Sequence, residues 1–187
     1  RECLAKFVYK CDYICVMNRI KLDTIEIKGF KSISYQHPMK LNLGDVNILL
    51  GANGVGKTNV ISFFRMLNFM MSGTLQKFIA QTGTSAAILH YGVKTTPRME
   101  GRLTFSDQNG KDYYNFTLTA ASQKLLVTEE SIQWEKNNKD TPYYCQLQSD
   151  YLESALVENQ DRTAKMIRGL LSDCKAYQFN DSSSNGV

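Results

Sequence analysis

Residues 46–71 read VNILLGANGVGKTNVISFFRMLNFMM, and this stretch decides the fold. It starts with the apolar run 46–50, which predicts a strand buried on both faces, as in a parallel α/β sheet. A glycine-rich segment follows at 51–58. Over 59–71 the apolar residues recur at helical spacing, which predicts a helix that ends at Ser72 and Gly73. The order of strand, glycine-rich loop and helix indicates an α/β protein.

The glycine-rich segment fits the pattern G-x-x-x-x-G-K-[ST] of a phosphate-binding (Walker A) loop. Its glycines, Gly51 and Gly56 among them, let main-chain N–H groups turn inward toward an anion. The N-terminal end of the following helix adds positive potential. Lys57 would contact the β- and γ-phosphates, and the Thr58 hydroxyl would bind Mg²⁺. The loop and its context therefore predict nucleotide binding with Mg²⁺.

The residues around this unit predict further strands and helices. Asp107-Gln108-Asn109-Gly110 lies between two alternating segments and indicates a β-hairpin. A second hairpin is expected from 124–128 and 131–135. The remaining predicted elements are strands at 22–30, 39–43 and 175–179, and helices at 74–89, 149–158 and 162–171.

Two other classes of phosphate-loop protein fit less well. Residues 107–110 match the D-x-x-G motif of GTPases on paper, but their neighbours make them a hairpin turn, and residues 138–140 fail the N-K-x-D motif. Small nucleotide kinases continue after the loop with parallel βα units, whereas the middle of this chain predicts antiparallel hairpins. Both classes are therefore disfavoured.

Composition places limits on the other possibilities. The chain has 187 residues, 43% of them hydrophobic and 21% charged, which is typical of one globular domain and not of a disordered chain. The net charge of +4 is too small for a dedicated nucleic-acid binder. No apolar run reaches the roughly 18–20 residues that span a bilayer, so no membrane partner is expected. Five cysteines, an odd number, predict reduced thiols and a cytoplasmic protein.

Two segments resemble a known family. Residues 25–32, IEIKGFKS, resemble the I-x-I-x-x-F-(K/R)-S opening strand of RecF/SMC-type ATPases, and residues 51–59 resemble their G-x-N-G-x-G-K-(S/T)-N loop. Residues 177–182 are similar to the Y-x-F-x-D-(T/S) segment of the overcoming-lysogenization-defect (OLD) group of predicted AAA-type ATPases. The resemblance implies an α/β phosphate-loop NTPase, the N-terminal lobe of an ABC-type head with an antiparallel β-subdomain and flanking helices. The loop residues that it implicates are Gly51, Asn53, Gly54, Val55, Gly56, Lys57, Thr58 and Asn59.

The resemblance also implies ATP with Mg²⁺ as the ligands and a homodimer that sandwiches two ATP molecules. Lys31 and Ser32 are expected near the phosphates, and Asp181 is expected as a metal ligand beside Thr58. DNA is a possible partner through the family, in DNA repair and maintenance or in defence against phage. Two alternatives stay open: a self-contained kinase or nucleoside triphosphate hydrolase, and a non-catalytic module that nucleotide stabilises.

The sequence departs from the family in its catalytic motifs. The nearest Walker B candidate, residues 125–130, lacks the fourth apolar residue and has Glu where Asp is needed. Ser72, Gly73 and Thr74 form no signature motif, and neither His37 nor His90 follows a Walker B strand. We therefore expect residues 20–187 to be an N-terminal lobe truncated before Walker B, with little turnover on its own. Residues 1–19 are expected to be an extension or an added segment, with a native packing element as the alternative.

Overall fold

The computed structural model describes residues 5–7, 20–44, 47–49, 56–137, 141–147 and 151–174. These residues form eight strands, four α-helices and one short 3₁₀ helix. The elements in chain order are β1 (Ala5–Phe7), β2 (Lys21–Lys28), β3 (Met39–Asn42), β4 (Asn47–Leu49), α1 (Lys57–Met71), α2 (Leu75–Thr82), α3 (Ser85–Ile88), β5 (Arg98–Ser106), β6 (Gly110–Ala121), β7 (Lys124–Lys136), β8 (Tyr143–Gln146), the 3₁₀ helix (Ala155–Val157) and α4 (Arg162–Ser172).

The main sheet has six antiparallel strands in the order β3-β2-β5-β6-β7-β8. The opening strand of the family motif therefore lies in the same sheet as the predicted hairpins. Helices α2 and α4 contact β7, and α1 contacts both of them, so the helices form a layer on one face of the sheet. The expected α/β class with an antiparallel sheet and flanking helices is what the structure shows.

Aromatic side chains join the first helix to this sheet. Phe63 of α1 is fully buried. Its ring meets the Phe30 ring edge-on, with centroids 5.7 Å apart, and stacks on the Phe116 ring at 6.3 Å. Because Phe30 follows β2 and Phe116 lies on β6, one side chain of α1 fixes the helix against two strands of the sheet.

Several predicted elements are confirmed. Helix α1 covers the predicted 59–71 and ends before Ser72, where Gly73 takes a positive φ of 65°. The turn between β5 and β6 is built by the Asp107 carboxylate, which accepts hydrogen bonds from the main-chain N–H groups of Asn109 (2.7 Å) and Gly110 (2.9 Å). Residues 107–110 are thus a hairpin turn and not part of a GTPase site.

The predicted second hairpin at 124–135 is wrong. Residues 124–136 form the single strand β7, which pairs along its whole length with β6. The register shifts between Thr117 and Leu118 of β6, so that Thr128 of β7 is an extra, bulged residue. Because of the bulge, the alternation of buried and exposed side chains changes phase at Thr128. In the sequence this change looks like a turn between two separate strands.

The predicted helix at 149–158 is also wrong. Over its described part the segment is bent, with a helical turn only at the 3₁₀ helix. Glu153 turns inward and accepts from the main-chain N–H groups of Leu75 (2.5 Å) and Gln76 (3.2 Å) at the start of α2, and Tyr151 has a positive φ of 68°. Long-range hydrogen bonds thus replace the helical pattern. The predicted helix at 74–89 is divided into α2 and α3 at Gly83, and the prediction missed β8.

The strand before the phosphate loop differs from its prediction. Its described part, β4, pairs antiparallel with β1 from the N-terminal segment, and Asn47 and Leu49 are only partly buried. A parallel pairing buried on both faces is therefore not what the described residues show. Residues 5–7 of the N-terminal segment thus pair with the strand before the loop, and the origin of residues 1–19 stays a prediction. The predicted strand at 175–179 lies outside the described residues.

Candidate functional site

The start of helix α1 presents its N-terminal end beside a glycine. Gly56, the residue before the helix, has a φ of +99°, a conformation that side-chain-bearing residues rarely adopt. A Cβ at Gly56 would lie 3.3 Å from Oγ of Ser32, so the position also has little room for a side chain. The first turn of α1 holds no acidic residue. The partial positive charge of the helix end is therefore left for an anion.

The turn after β2 lies directly against this helix start. Asn59 Nδ2 donates a hydrogen bond to Ser32 Oγ at 2.5 Å. One residue earlier, Lys31 Nζ donates to Ser62 Oγ at 2.6 Å. Two adjacent residues of the turn thus hold two successive positions on one face of α1. The structure therefore brings Lys31 and Ser32 together with Asn59 and Gly56. The expected place of Lys31 and Ser32 beside the phosphates stays a prediction.

Lys31 is held in a setting that favours a nearby anion. It is partly buried, and its backbone takes a positive φ of 50°. Burial, and then the positive charge of Arg65, lower the pKa of the Lys31 ammonium. An anion placed within a few ångström would offset both effects, because opposite charge favours the protonated form. The side chain is thus a cation close to the helix start whose charge a phosphate would stabilise.

Lys57 and Thr58 form the first turn of α1. Lys57 is partly buried, whereas Thr58 is exposed. A hydroxyl oxygen is a ligand that Mg²⁺ accepts, and Mg²⁺ normally completes its shell with phosphate oxygens and water. Among the described residues no group of three or more His, Cys, Asp or Glu side chains could hold a metal ion. The Thr58 hydroxyl is thus a donor that fits a magnesium ion bound together with a nucleotide.

The other predicted site residues lie elsewhere or outside the described part of the chain. Gly51, Asn53, Gly54 and Val55 of the loop and the predicted metal ligand Asp181 lie outside it. His37 lies in an exposed turn, where its main-chain N–H donates to Ser34 Oγ at 2.9 Å.

Two residues of the site escaped the sequence prediction. Ser62 binds Lys31 and lies three residues after Asn59, so the helical period could have placed it on the same face. His90 Nδ1 lies 2.8 Å from the carbonyl oxygen of Lys31, and this contact comes from a segment remote in sequence. No local pattern points to such a contact.

The Walker B candidate at 125–130 is part of the core of the sheet. Glu130 is 2% exposed and lies on the helix-facing side of β7. Its carboxylate accepts hydrogen bonds from Tyr114 Oη (2.5 Å), Ser154 Oγ (2.5 Å) and the main-chain N–H of Ala155 (2.7 Å). The neighbouring Glu129 is exposed and accepts from Thr117 Oγ1 at 3.0 Å. Glu130 is thus already committed to protein donors, which fits a structural carboxylate.

The chain matches a known protein family over most of its length. Residues 46–167, more than half of the chain, match the family model described as "AAA domain, putative AbiEii toxin, Type IV TA system". No curated protein matches the chain. The matched range begins just before the phosphate loop and includes α1, the hairpins and most of α4. Within the part of the chain that the structure describes, no helix is long and apolar enough to cross a membrane.

Proposed function

The chain belongs to this AAA-domain family, a class of phosphate-loop nucleotide-binding domains, and we propose that it binds ATP with Mg²⁺ at the start of helix α1. The observation that carries the proposal is the convergence of the turn after β2 on the helix start. Asn59 and Ser62 of α1 bind Ser32 and Lys31 of the turn. The positive helix end, the glycine before it and the turn that carries Lys31 thus meet at one place.

Each residue has a task in this proposal. Lys57 contacts the β- and γ-phosphates, and Thr58 supplies the protein hydroxyl for Mg²⁺, which neutralises charge on the phosphates when it is bound. The bond between Ser32 and Asn59 fixes the turn against the loop. Lys31 adds a second cation, and its lowered pKa rises when phosphate is bound nearby.

The biological role is a further part of the proposal. An ATP-binding lobe of RecF/SMC/OLD type would act in DNA maintenance or phage defence, as a homodimer that sandwiches ATP. The family description names a toxin of a toxin–antitoxin system, which favours defence over repair. The antiparallel strands after the loop support this type over a small kinase with parallel βα units. We place the protein in the cytoplasm, in line with its odd number of cysteines.

The test is a calorimetric titration of MgATP into the wild type, Lys57→Ala and Lys77→Ala. Lys77 is an exposed lysine of α2 and serves as the matched control. We expect Lys57→Ala to weaken binding about 10- to 100-fold, because it removes hydrogen bonds to a charged ligand. The control should bind like the wild type.

A phosphate-release assay on the same samples separates the alternatives. If the wild type binds MgATP but releases no phosphate during an overnight incubation, the result supports an ATP-binding lobe that needs a second lobe for hydrolysis. Robust release that Lys57→Ala abolishes would instead indicate a self-contained kinase or hydrolase. Absence of MgATP binding by the wild type would overturn the proposal.

A further inference from the structure

An exposed aromatic side chain directly follows a segment that is hydrogen-bonded to the turn after β2. Tyr91 is 83% exposed, more than the other large exposed hydrophobic side chains in the described part of the chain. Its backbone takes a positive φ of 52°, a conformation that is unfavourable for a residue with a Cβ. Neither burial nor backbone preference explains a tyrosine here. Strained positions of this kind concentrate at functional sites, because the surrounding structure must hold them in place.

The segment that carries Tyr91 is fastened to the turn after β2. Lys31 N donates to the Ile88 carbonyl oxygen at 2.8 Å, and His90 N donates to the Gly29 carbonyl oxygen at 3.1 Å. His90 Nδ1 also lies 2.8 Å from the carbonyl oxygen of Lys31. These three contacts fix residues 88–90 along the turn. Tyr91 therefore keeps a constant position relative to Lys31 and Ser32, which themselves contact α1.

The orientation of the tyrosine ring is set by its neighbour. The rings of His90 and Tyr91 have centroids 4.3 Å apart at an angle of 62°, an edge-on contact. Such a contact leaves most of the Tyr91 ring open, as its exposure shows. An open aromatic face on a rigid support binds a flat ligand at low entropic cost.

We propose that Tyr91 is the stacking platform for the base of the bound nucleotide. This inference rests on the proposed function, since the phosphates must be anchored at the start of α1. A nucleotide held there would extend its nucleoside away from the helix end, and the segment fastened to the turn of Lys31 and Ser32 carries the exposed ring of Tyr91. Stacking on a tyrosine uses the π-face of the base, which a triphosphate without a nucleoside lacks.

The experiment compares two ligands, MgATP and magnesium tripolyphosphate, on four forms of the full chain. The forms are the wild type, Tyr91→Ala, Tyr91→Phe and the control Tyr144→Ala, which removes a tyrosine that is 58% exposed on strand β8. Thermal melting verifies that each variant folds. Dissociation constants come from calorimetry.

We expect Tyr91→Ala to weaken MgATP binding about 5- to 150-fold, which is the range for loss of one stacked base. Tripolyphosphate binding should be unchanged. Tyr91→Phe keeps the ring and should bind MgATP within about twofold of the wild type, as should Tyr144→Ala.

The pattern of failure identifies which proposal is wrong. If the wild type binds neither ligand, the proposed phosphate site is wrong, and the base platform is wrong with it. Equal MgATP affinity of Tyr91→Ala and wild type, with tripolyphosphate binding intact, overturns the base platform alone. Equal losses for both ligands, or a loss that Tyr91→Phe shares, also overturn it, because the effect then comes from the turn and not from the ring.

Discussion

Removal of the Glu130 carboxylate should destabilise the protein without weakening its binding of MgATP. Glu130→Ala takes away an acceptor that is 2% exposed and holds three donors at 2.5–2.7 Å. The hydroxyl of Tyr114, which is itself fully buried, would lose its partner, as would the main-chain N–H of Ala155. Each hydrogen bond to a charged group contributes about 1.5–3 kcal/mol, but the three share one buried charge, so they do not add in full. We expect a loss of about 3–5 kcal/mol in the free energy of unfolding.

Urea unfolding, followed by the fluorescence of Trp134, the single tryptophan, measures this loss. With a urea m value of about 1–3 kcal/mol/M, the midpoint should fall by about 1–5 M. The matched control is Glu129→Ala, one residue earlier, where the side chain is exposed and the expected loss is below about 1 kcal/mol. Glu130→Gln keeps an acceptor oxygen and should lose less than Glu130→Ala.

The same variants decide whether residues 125–130 act as a Walker B strand. A structural carboxylate predicts that folded Glu130→Gln binds MgATP like the wild type. If Glu130→Ala unfolds at the midpoint of Glu129→Ala, the hydrogen-bond reasoning is wrong. If Glu130→Gln loses magnesium-dependent binding or turnover at unchanged stability, the carboxylate belongs to the active site after all.

Two further predictions concern stability near α4. Burial first, and then the charges of Asp107 and Asp161, raise the pKa of Asp112 from 3.8 to about 6, so the folded state binds this proton more tightly than the unfolded chain. Stability should therefore fall as the pH rises from about 4 to 6, and Asp112→Asn should remove this slope and gain about 1–2 kcal/mol at pH 7.5, after a discount for solvent screening. Urea titrations at pH 4.5 and 7.5 test this, and a wild type equally stable at both would contradict it. Asp161 caps α4 by accepting from Thr163 N (2.8 Å) and Ala164 N (3.3 Å). Asp161→Ala should lower the free energy of unfolding by about 1 kcal/mol, measured by thermal melting. Asp161→Asn keeps a capping oxygen and should lose much less stability. Equal losses for the two variants would contradict the capping role.

The parts of the fold that the sequence predicts are those with local causes. Helix α1 follows from apolar spacing, and the turn at 107–110 follows from an aspartate that binds the next main-chain N–H groups. The errors occur where distant contacts decide. The bulge at Thr128 arises from pairing with β6, and the segment at 151–157 is bent because Glu153 and Ser154 reach other elements. Periodicity within a window cannot register such partners.

The candidate site shows the same division. The helix start follows from the loop motif alone. The family resemblance predicts Lys31 and Ser32 near the phosphates, but it does not predict the contact between Ser32 and Asn59. The sequence assigns no role to His90, which follows no Walker B strand, yet His90 fastens the turn to residues 88–90. Its role depends on where the chain returns after α3, and that position is a property of the whole fold.

The segment at 25–32, which resembles the RecF/SMC opening strand, has a physical explanation in this structure. Ile25, Ile27 and Phe30 are fully buried and anchor the end of β2 in the core. Gly29, between them, has a φ of +71°, and a Cβ there would lie 2.6 Å from the carbonyl oxygen of Arg98, so only glycine lets the chain turn this close to β5.

The residues after that glycine carry the link to the site. Lys31 and Ser32 reach Ser62 and Asn59 of α1 immediately after the turn, and the Gly29 carbonyl oxygen accepts the N–H of His90. A shift of the β2 end would therefore move both contacts to helix α1 and the support of the Tyr91 segment. The order of apolar residues, glycine and polar residues over 25–32 thus couples the position of the sheet to the start of α1, where we propose the nucleotide site.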